Sequence, residues 1–150
     1  MSITVSDILS EHQCRSGVSV SSKKKLFEML STLSSELIPN ASADDIYERL
    51  LNRERLGSTG FGQGIAIPHC RLLHCHNAFG ILLTLNDSID FDSVDNEPVD
   101  IVFALFVPEE ATDEHLQVLA TLAQRFNEAP YRAALRDAEN NHQLFTSAIT

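Results

Sequence analysis

The sequence predicts an α/β fold in which a central β-sheet is covered by helices on both faces. Residues 80–85 and 101–107 are nearly continuous apolar runs, which is typical of strands that are buried on both faces. Segments with a helical apolar stripe precede and follow these runs. Because such a sheet needs helices on two sides, we expect a single-domain α/β sandwich spanning residues 1–150.

The first half of the chain predicts one extended segment and two helices. Residues 18–20 are predicted to be extended, and Ser22 can cap a helix that runs to about residue 37. Four leucines share the predicted core-facing stripe of this helix: Leu26, Leu30, Leu33 and Leu37. Ser42 and Asp45 form a capping arrangement for a second helix, which ends near Gly57. Its predicted inward residues are Ile46, Leu50 and Leu51.

The second half predicts two strands followed by three helices. Turn-forming residues join the two apolar runs, among them Asn86, Asp95 and Pro98. Thr112 can cap a long helix that ends near Asn127. Its predicted inward residues are Leu116, Leu119, Ala120, Ala123 and Phe126. Residues 130–138 and 141–149 predict two shorter helices.

Length and composition suit one ordinary domain. A chain of 150 residues with 43% hydrophobic content can bury roughly 70% of the surface that its unfolded form exposes. No apolar run approaches the ~20 residues of a membrane helix, and residues 1–9 have neither the basic region nor the hydrophobic core of a signal peptide. We therefore expect a soluble cytoplasmic protein without membrane insertion.

The charge balance bears on the class of partner. Lys and Arg number 11 against 21 Asp and Glu, for a formal net charge of −10, which opposes nonspecific binding to a phosphate backbone. We therefore expect no nucleic-acid partner. An acidic surface can steer the encounter with a basic protein or serve solubility alone, and the charge does not separate these interpretations.

The glycine-rich segment before His69 is the most informative motif. Four glycines in eight residues let the backbone approach another group closely: Gly57, Gly60, Gly62 and Gly64. Residues 65–67 predict a short buried strand, and Pro68 fixes the chain direction just before the imidazole. This layout predicts a reactive histidine at a strand end, although a histidine after a glycine-rich turn is more often only structural.

A long run of residues around His69 matches a known family motif. The matching residues are Arg53, Gly57-Ser58-Thr59-Gly60, Gly62 and Gly64-Ile65-Ala66-Ile67-Pro68-His69. Further matches are Ser22-Lys23-Lys24, Phe91-Asp92, Asp95-Asn96-Glu97-Pro98-Val99-Asp100, Phe103-Ala104-Leu105, Val107-Pro108 and His115-Leu116. The run resembles the phosphorylation site of the nitrogen-type enzyme IIA proteins of the bacterial phosphotransferase system. The resemblance covers the chain from about Val18 onward and implies the EIIA type 2 fold with a mixed sheet.

The resemblance also implies a phosphohistidine site. His69 would accept the phosphoryl group, His115 would assist it, and Arg53 would stabilise the phosphoryl charge. The residues themselves agree with this chemistry, because a neutral imidazole has an ordinary pKa of about 6.5 and a nucleophilic ring nitrogen. If Thr112 caps its helix, His115 is the third helical residue, near an electropositive helix end. Neither a cofactor nor a metal is required.

The glycine-rich segment also offers candidate phosphate ligands. Phosphoryl transfer depends mainly on positioning and on hydrogen-bond donors around the moving oxygens. Backbone amides of residues 57–64 and the hydroxyls of Ser58 and Thr59 can supply such donors. We therefore expect Ser58, Thr59 and Gly60 to bind phosphate.

The resemblance implies a phosphocarrier whose donor is a small HPr-like protein. Its output would be regulatory, since nitrogen-type members change their binding to targets such as potassium transporters and sensor kinases with phosphorylation state. A sugar-specific enzyme IIA of the fructose or mannitol type is the nearest alternative, and the Gly57-Ser58-Thr59-Gly60 wording favours the nitrogen branch. A binding module in which His69 is only structural is an alternative of a different class.

The cysteines raise two further hypotheses. Three cysteines without a secretory signal indicate free thiols: Cys14, Cys70 and Cys75. The family commonly continues Pro-His-Gly-Lys where this chain has Pro68-His69-Cys70-Arg71. This difference puts a thiol beside the reactive imidazole, so we hypothesise that oxidation of Cys70 could block transfer. A metal-dependent hydrolase with zinc bound by Cys70, His74, Cys75 and His76 is a further interpretation. The spacing of these residues does not match the ligand spacing of ordinary structural zinc sites. A Ser-His-Asp hydrolase lacks its Gly-x-Ser-x-Gly elbow.

Overall fold

The chain folds into a sheet with helices before and after its central strands. The structure is a computed structural model that describes residues 3–111 and 113–150, with the side chains of residues 114 and 116 outside the description. The strands are β1 (Cys14–Val18), β2 (Gly60–Gly62), β3 (Ile65–Ala66), β4 (His69–Leu72), β5 (Phe79–Ile89) and β6 (Val99–Pro108). The helices are α1 (Val5–Ile8), α2 (Lys23–Leu37), α3 (Ala43–Arg55), α4 (Asp113–Phe126), α5 (Ala129–Asp137) and α6 (Asn141–Ile149).

The sheet is mixed, as the family resemblance implied. Its main path runs β1-β5-β6-β3-β2, and β4 pairs with β6 off this path. β5 and β6 are antiparallel, whereas β1 is parallel to β5 and both β3 and β4 are parallel to β6. β3 aligns with the first part of β6 at Ile101, and β4 aligns His69 with Leu105 further along. The two short strands therefore follow one another along the same edge of β6.

Both faces of the sheet are buried, which confirms the prediction from the apolar runs. Alternate residues of β6 face opposite cores, so Phe103 packs toward α4, α5 and α6, whereas Val102 packs toward α2 and α3. Buried helical residues on the first side are Val118, Leu122, Phe126, Leu135 and Leu144. Those on the second side are Leu26, Phe27, Leu30, Ile46 and Leu50. A strand between two such layers needs apolar residues at every position.

The predicted caps of the first two long helices are confirmed. The Ser22 hydroxyl accepts a hydrogen bond from the Lys25 amide at 3.1 Å, and the Ser42 hydroxyl accepts one from the Asp45 amide at 3.3 Å. The inward stripe of α2 is wrong at its end, because Leu37 is 37% exposed. Leu37 is the last residue of α2 and the chain is extended at Ile38. Ile38 takes the core position instead, at 5% exposure.

The N-terminal strand lies earlier than residues 18–20, where the extended segment was predicted. β1 begins at Cys14, which is fully buried and pairs with Leu82 of β5. Its sequence includes Arg15 and Gly17 and has little strand character of its own. Pairing with a long apolar strand decides its position. α1, which was not predicted, buries Val5 and Ile8 against the same core.

The three C-terminal helices form within a residue or two of the predicted bounds, and the stripe of α4 is partly as predicted. Phe126 is buried at 0% exposure and Leu119 packs against the core, as expected. Val118 and Leu122, which were not predicted, are core residues at 2% and 0% exposure, whereas Ala120 is exposed. The predicted cap at Thr112 and the predicted inward side chain of Leu116 lie outside the described residues. Among the described helices, none has the length and apolar character needed to cross a membrane.

Candidate functional site

His69 opens into a cleft of about 370 Å³ at the edge of the sheet. The residues that line it come from α3, β4, β6, the turn that follows β6, and α4: Arg49, Asn52, Arg53, Leu56, His69, Cys70, Arg71, Leu105, Val107, Glu109 and Leu119. Leu56, which follows the last residue of α3, is 85% exposed. The cleft therefore joins a half-buried imidazole to an exposed apolar residue.

The contacts of His69 assign a role to each ring nitrogen. Its Nδ1 lies 2.9 Å from the carbonyl oxygen of Ile67, and the Arg53 Nε lies 3.1 Å from its Nε2. A guanidinium can only donate and a carbonyl can only accept. The neutral ring therefore carries its proton on Nδ1, and its Nε2 has the lone pair.

The surroundings of His69 favour the neutral ring. Burial lowers the pKa of His69 below its ordinary value of 6.5. The hydrogen bond to the Ile67 carbonyl and the charge of Glu54 oppose that shift, whereas the charge of Arg53 adds to it. An imidazole with a lowered pKa is unprotonated near neutral pH and is available as a nucleophile.

Arg53 lies in the last turn of α3, where it contacts the reactive ring and the glycine-rich segment. Besides the contact to His69, its Nη1 donates to the Gly57 carbonyl at 2.8 Å. The guanidinium is partly buried, and the two hydrogen bonds fix its plane. Arg53 was expected close to the glycine-rich segment, and the contact to Gly57 agrees with that; its role in phosphoryl stabilisation stays a prediction.

His115 is the third residue of α4, and it lies near the same cleft. It comes one helical turn before Leu119, which lines the cleft with His69. Residues four apart lie on one face of a helix, so His115 shares the face that borders the cleft. Its side chain is partly buried.

Ser58, Thr59 and Gly60 donate to protein acceptors in this structure. The Ser58 hydroxyl donates to the Phe91 carbonyl at 3.1 Å, and the Gly60 amide donates to the Ser58 hydroxyl at 3.1 Å. The Thr59 hydroxyl and amide donate to the Glu54 carboxylate at 2.6 and 3.1 Å. Phosphate binding by these residues would require those bonds to be exchanged, so that role stays a prediction.

Gly60 has a packing reason to be glycine. A Cβ at this position would lie 2.3 Å from the Ser93 hydroxyl oxygen and 2.9 Å from the Ser93 Cα. Real Cβ atoms do not approach backbone so closely. The close approach predicted for the glycine-rich segment therefore occurs at Gly60, toward the protein's own chain.

Sequence reasoning missed an ion pair beside this segment. Lys23 Nζ lies 2.6 Å from Glu54 Oε2, and the Glu54 side chain is only 9% exposed. Burial alone would raise the pKa of Glu54, but hydrogen bonds from Lys23 and Thr59 outweigh it and hold the pKa below its usual value. One signal was present in the sequence, because a carboxylate in the last turns of a helix opposes the helix dipole and so calls for a cation.

The cysteine hypotheses meet physical objections. Burial raises the pKa of the Cys70 thiol to about 12 and that of Cys75 to about 11. The thiolate is the form that oxidants attack and metals bind, so the raised pKa disfavours the proposed oxidation of Cys70. Cys75 is buried and donates to the Asn77 carbonyl, whereas His74 and His76 are exposed. Within the described residues, no His, Cys, Asp and Glu side chains cluster in a way that could hold a metal.

The fold and the site define a known class of protein. A family model described as phosphoenolpyruvate-dependent sugar phosphotransferase system, EIIA 2, matches residues 7–148. The chain belongs to this EIIA type 2 family, which by its description serves phosphoryl transfer from phosphoenolpyruvate.

Within the family, the chain is similar to nitrogen regulatory proteins over nearly its whole length. It is 42% identical over 147 residues to the nitrogen regulatory protein of Pseudomonas aeruginosa, which covers 98% of this chain and 96% of the relative. It is 37% identical over 144 residues to that of Escherichia coli K12, which covers 95% and 88%. These matches confirm the resemblance that the sequence motifs suggested.

Solved structures agree with the fold. The crystal structure of nitrogen regulatory protein IIA-Ntr from Neisseria meningitidis superposes with a TM-score of 0.89 at 37% identity, over 95% of this chain and 97% of that one. The mannitol IIA protein of Escherichia coli has a TM-score of 0.76 at 14% identity, over 93% and 98%. The second likeness shows a shared fold alone.

Proposed function

We propose that this protein is a phosphocarrier of a nitrogen-related phosphotransferase system and that it accepts a phosphoryl group on Nε2 of His69. The observation that carries the proposal is the pair of contacts on the ring. Nδ1 is held by the Ile67 carbonyl at 2.9 Å, so Nε2 is the nucleophilic nitrogen, and His69 lines an open cleft. A neutral imidazole in this position is ready to attack phosphorus.

The transfer needs no cofactor on this chain. Nε2 of His69 donates its lone pair to phosphorus, and the donor's ring nitrogen takes back the electron pair of the P–N bond that breaks. Nδ1 keeps its proton, so the phosphorylated ring carries positive charge, which the Ile67 carbonyl stabilises across the hydrogen bond. The protein's part is to position the ring in line with the donor.

Arg53 and His115 are the proposed ligands of the moving phosphoryl group. The Arg53 Nε lies 3.1 Å from the nitrogen that attacks. It must therefore move from the lone pair to a phosphoryl oxygen as the donor docks. The Nη1 bond to Gly57 can anchor the guanidinium during that move. His115, on the face of α4 that borders the cleft, can donate to a second oxygen.

The proposed donor is a small HPr-like phosphocarrier protein. A docking protein must bring its own phosphohistidine within contact of Nε2, which requires an open approach and a surface to bind. The cleft beside His69 supplies both, because its lining includes Leu56 at 85% exposure and the partly buried Leu119. The relay that passes phosphoryl groups from phosphoenolpyruvate to this donor is proposed to be cytoplasmic, so the exchange would occur in the cytoplasm. This chain is proposed to take part as one domain that spans its whole length.

The proposed output is regulation of other proteins according to phosphorylation state. The similar proteins from Pseudomonas aeruginosa and Escherichia coli are named nitrogen regulatory proteins, which supports a signalling role. Targets of the kind that the family resemblance implies, potassium transporters and sensor kinases, would bind one form in preference to the other. The phosphoryl group carries about two negative charges and the ring gains one positive charge, so phosphorylation makes the cleft more negative by about one charge, which can switch a contact there.

A sugar-specific role is the second candidate. The chain is 29% identical over 143 residues to the fructose-specific EIIABC component of Bacillus subtilis, of which it covers 22%. The mannitol IIA protein has been solved in complex with phosphorylated enzyme IIB. Passage of phosphate from this chain to fructose or mannitol IIB proteins would favour this candidate over the regulatory one.

The direct test is phosphorylation by a reconstituted relay. Incubation with phosphoenolpyruvate, enzyme I and an HPr-type carrier, followed by intact-mass analysis, is expected to add one acid-labile phosphoryl group to the wild type. His69→Ala should gain none, whereas the matched control His76→Ala, at an exposed position, should gain one. The absence of an adduct on the wild type would instead favour the binding module in which His69 is structural.

A further inference from the structure

The ion pair between Lys23 and Glu54 lies beneath the glycine-rich segment, away from the open cleft. Lys23 is the first residue of α2, and Glu54 lies in the last turn of α3. The Lys23 Nζ lies 2.6 Å from the Glu54 Oε2, and the two side chains are 23% and 9% exposed. Lys23 also donates to the Phe91 carbonyl at 3.1 Å and lies 4.4 Å from the centre of the Phe91 ring.

Hydrogen bonds run from this pair to the reactive ring. The Glu54 carboxylate accepts from both the hydroxyl and the amide of Thr59. The Thr59 carbonyl in turn accepts from the Ile67 amide at 3.0 Å. The Ile67 carbonyl accepts the Nδ1 proton of His69 at 2.9 Å. Each of these hydrogen bonds joins one residue directly to the next. The position of Glu54 therefore influences the position of the Ile67 carbonyl, which orients the ring.

A second connection reaches the other ring nitrogen. Glu54 follows Arg53, whose Nε contacts Nε2 of His69. Arg53 also bonds the Gly57 carbonyl, and the Gly57 amide bonds the Glu54 carbonyl at 3.2 Å. Glu54 is therefore connected to both groups that contact the imidazole, the Ile67 carbonyl and the Arg53 guanidinium.

Stability alone is a weak reason for this arrangement. A buried ion pair loses hydration on both partners, and its replacement by apolar groups is often neutral or stabilising. A carboxylate near the C-terminal end of a helix is also unfavourable with respect to the helix dipole. These costs are explained if the pair supplies order to the segment that orients the reactive ring.

We propose that Lys23 and Glu54 are positioning residues that hold His69 in the tautomer with its proton on Nδ1, through Thr59 and Ile67. The effect on transfer rate rests on the proposed function, but the effect on the tautomer does not. Outer partners that orient metal-binding histidines typically change activity about 10- to 100-fold when they are removed, and we expect an effect of the same order for this metal-free histidine. Their loss lets the ring rotate or move its proton to Nε2, which removes the nucleophilic lone pair from the cleft.

The test is ¹⁵N NMR of the histidine rings in Glu54→Gln. The matched control is Glu28→Gln, because Glu28 pairs with Lys25 on the surface of α2 at 43% exposure. The wild type and the control are expected to show His69 with its proton on Nδ1. Glu54→Gln is expected to gain the form with the proton on Nε2 and to slow transfer about 10- to 100-fold, chiefly in the first-order step and not in donor binding.

A milder variant keeps the test decisive. Thr59→Val removes one hydroxyl donor to Glu54 with little change of shape. If Glu54→Gln unfolds, the His69 tautomer and the transfer rate are measured in Thr59→Val instead. An unchanged tautomer in the folded variants would overturn the proposal. A shifted tautomer in the variants, together with no phosphoryl adduct on the wild type, would support the positioning role while rejecting the proposed function.

Discussion

Removal of the Arg53 guanidinium is expected to slow phosphoryl transfer to His69 while leaving the fold intact. Arg53 makes two hydrogen bonds, one of 3.1 Å to the ring nitrogen and one of 2.8 Å to the Gly57 carbonyl. During transfer the first of these passes to a phosphoryl oxygen and becomes a contact between opposite charges. Arg53→Ala loses that contact at the point where the transition state spreads its negative charge.

The magnitude follows from the kind of bond that is lost. A hydrogen bond to a charged group contributes about 1.5 to 3 kcal/mol, which corresponds to a rate decrease of about 10- to 150-fold. Because the guanidinium is only partly buried, water can replace part of the interaction, and the lower end of that range is expected. Loss of the bond to Gly57 costs about 1 kcal/mol of unfolding free energy, which a folded domain of this size tolerates.

The assay is single-turnover transfer from a purified phosphorylated HPr-type carrier, quenched at intervals and read by intact mass. Arg55→Ala is the matched control, since Arg55 is exposed and bonds only the nearby Asn52 among the described residues. Arg53→Lys tests the geometry, because an ammonium cannot make both directed contacts of the fork. Equal transfer rates in Arg53→Ala and Arg55→Ala would remove Arg53 from the site.

Four further outcomes test the site and the fold. His115→Ala is expected to slow transfer about tenfold, with partial recovery in His115→Gln; full activity in both would exclude the assisting role. Because the pKa of His69 lies below 6.5 in the folded protein, His69 should stay neutral and transfer should persist as the pH falls through 6.5, which an NMR titration of the ring checks. The unfolded chain takes up the proton in that range, so the free energy of unfolding should fall with the pH, which unfolding curves measure. Gly60→Ala should lower the free energy of unfolding by about 1 to 3 kcal/mol through its clash with Ser93, as chemical denaturation would show. Because the pKa of Cys70 is about 12, mild peroxide should leave transfer unchanged in the wild type, as in Cys70→Ala; a loss in the wild type alone would restore the oxidation hypothesis.

The parts of the fold that local chemistry decides were predictable. The apolar runs identified the two central strands, and the caps at Ser22 and Ser42 placed the starts of α2 and α3. The parts decided by long-range pairing were not. β1 lies at Cys14–Val18 because it pairs with β5, and the stripe of α4 turns toward Val118 because the sheet lies on that side.

The site divides in the same way. Arg53 and His69 lie 16 residues apart in the sequence, and the motif assigned both to one site. In the structure the Arg53 Nε lies 3.1 Å from Nε2 of His69. Ser58 and Thr59 were expected to bind phosphate, which stays a prediction; in this structure their hydroxyls donate to the Phe91 carbonyl and the Glu54 carboxylate. A sequence specifies how many donors a segment has, whereas the acceptors they reach depend on which elements pack nearby.

The nitrogen of His69 that carries phosphorus is the central feature of the proposed mechanism. The most direct measurement is ¹H–¹⁵N NMR of histidine-labelled protein after phosphorylation by the relay, with the ³¹P coupling used to identify the bonded atom. The structure leads us to expect phosphorus on Nε2 and a retained proton on Nδ1, which bonds the Ile67 carbonyl. Phosphorus on Nδ1, or on a histidine other than His69, would contradict the account.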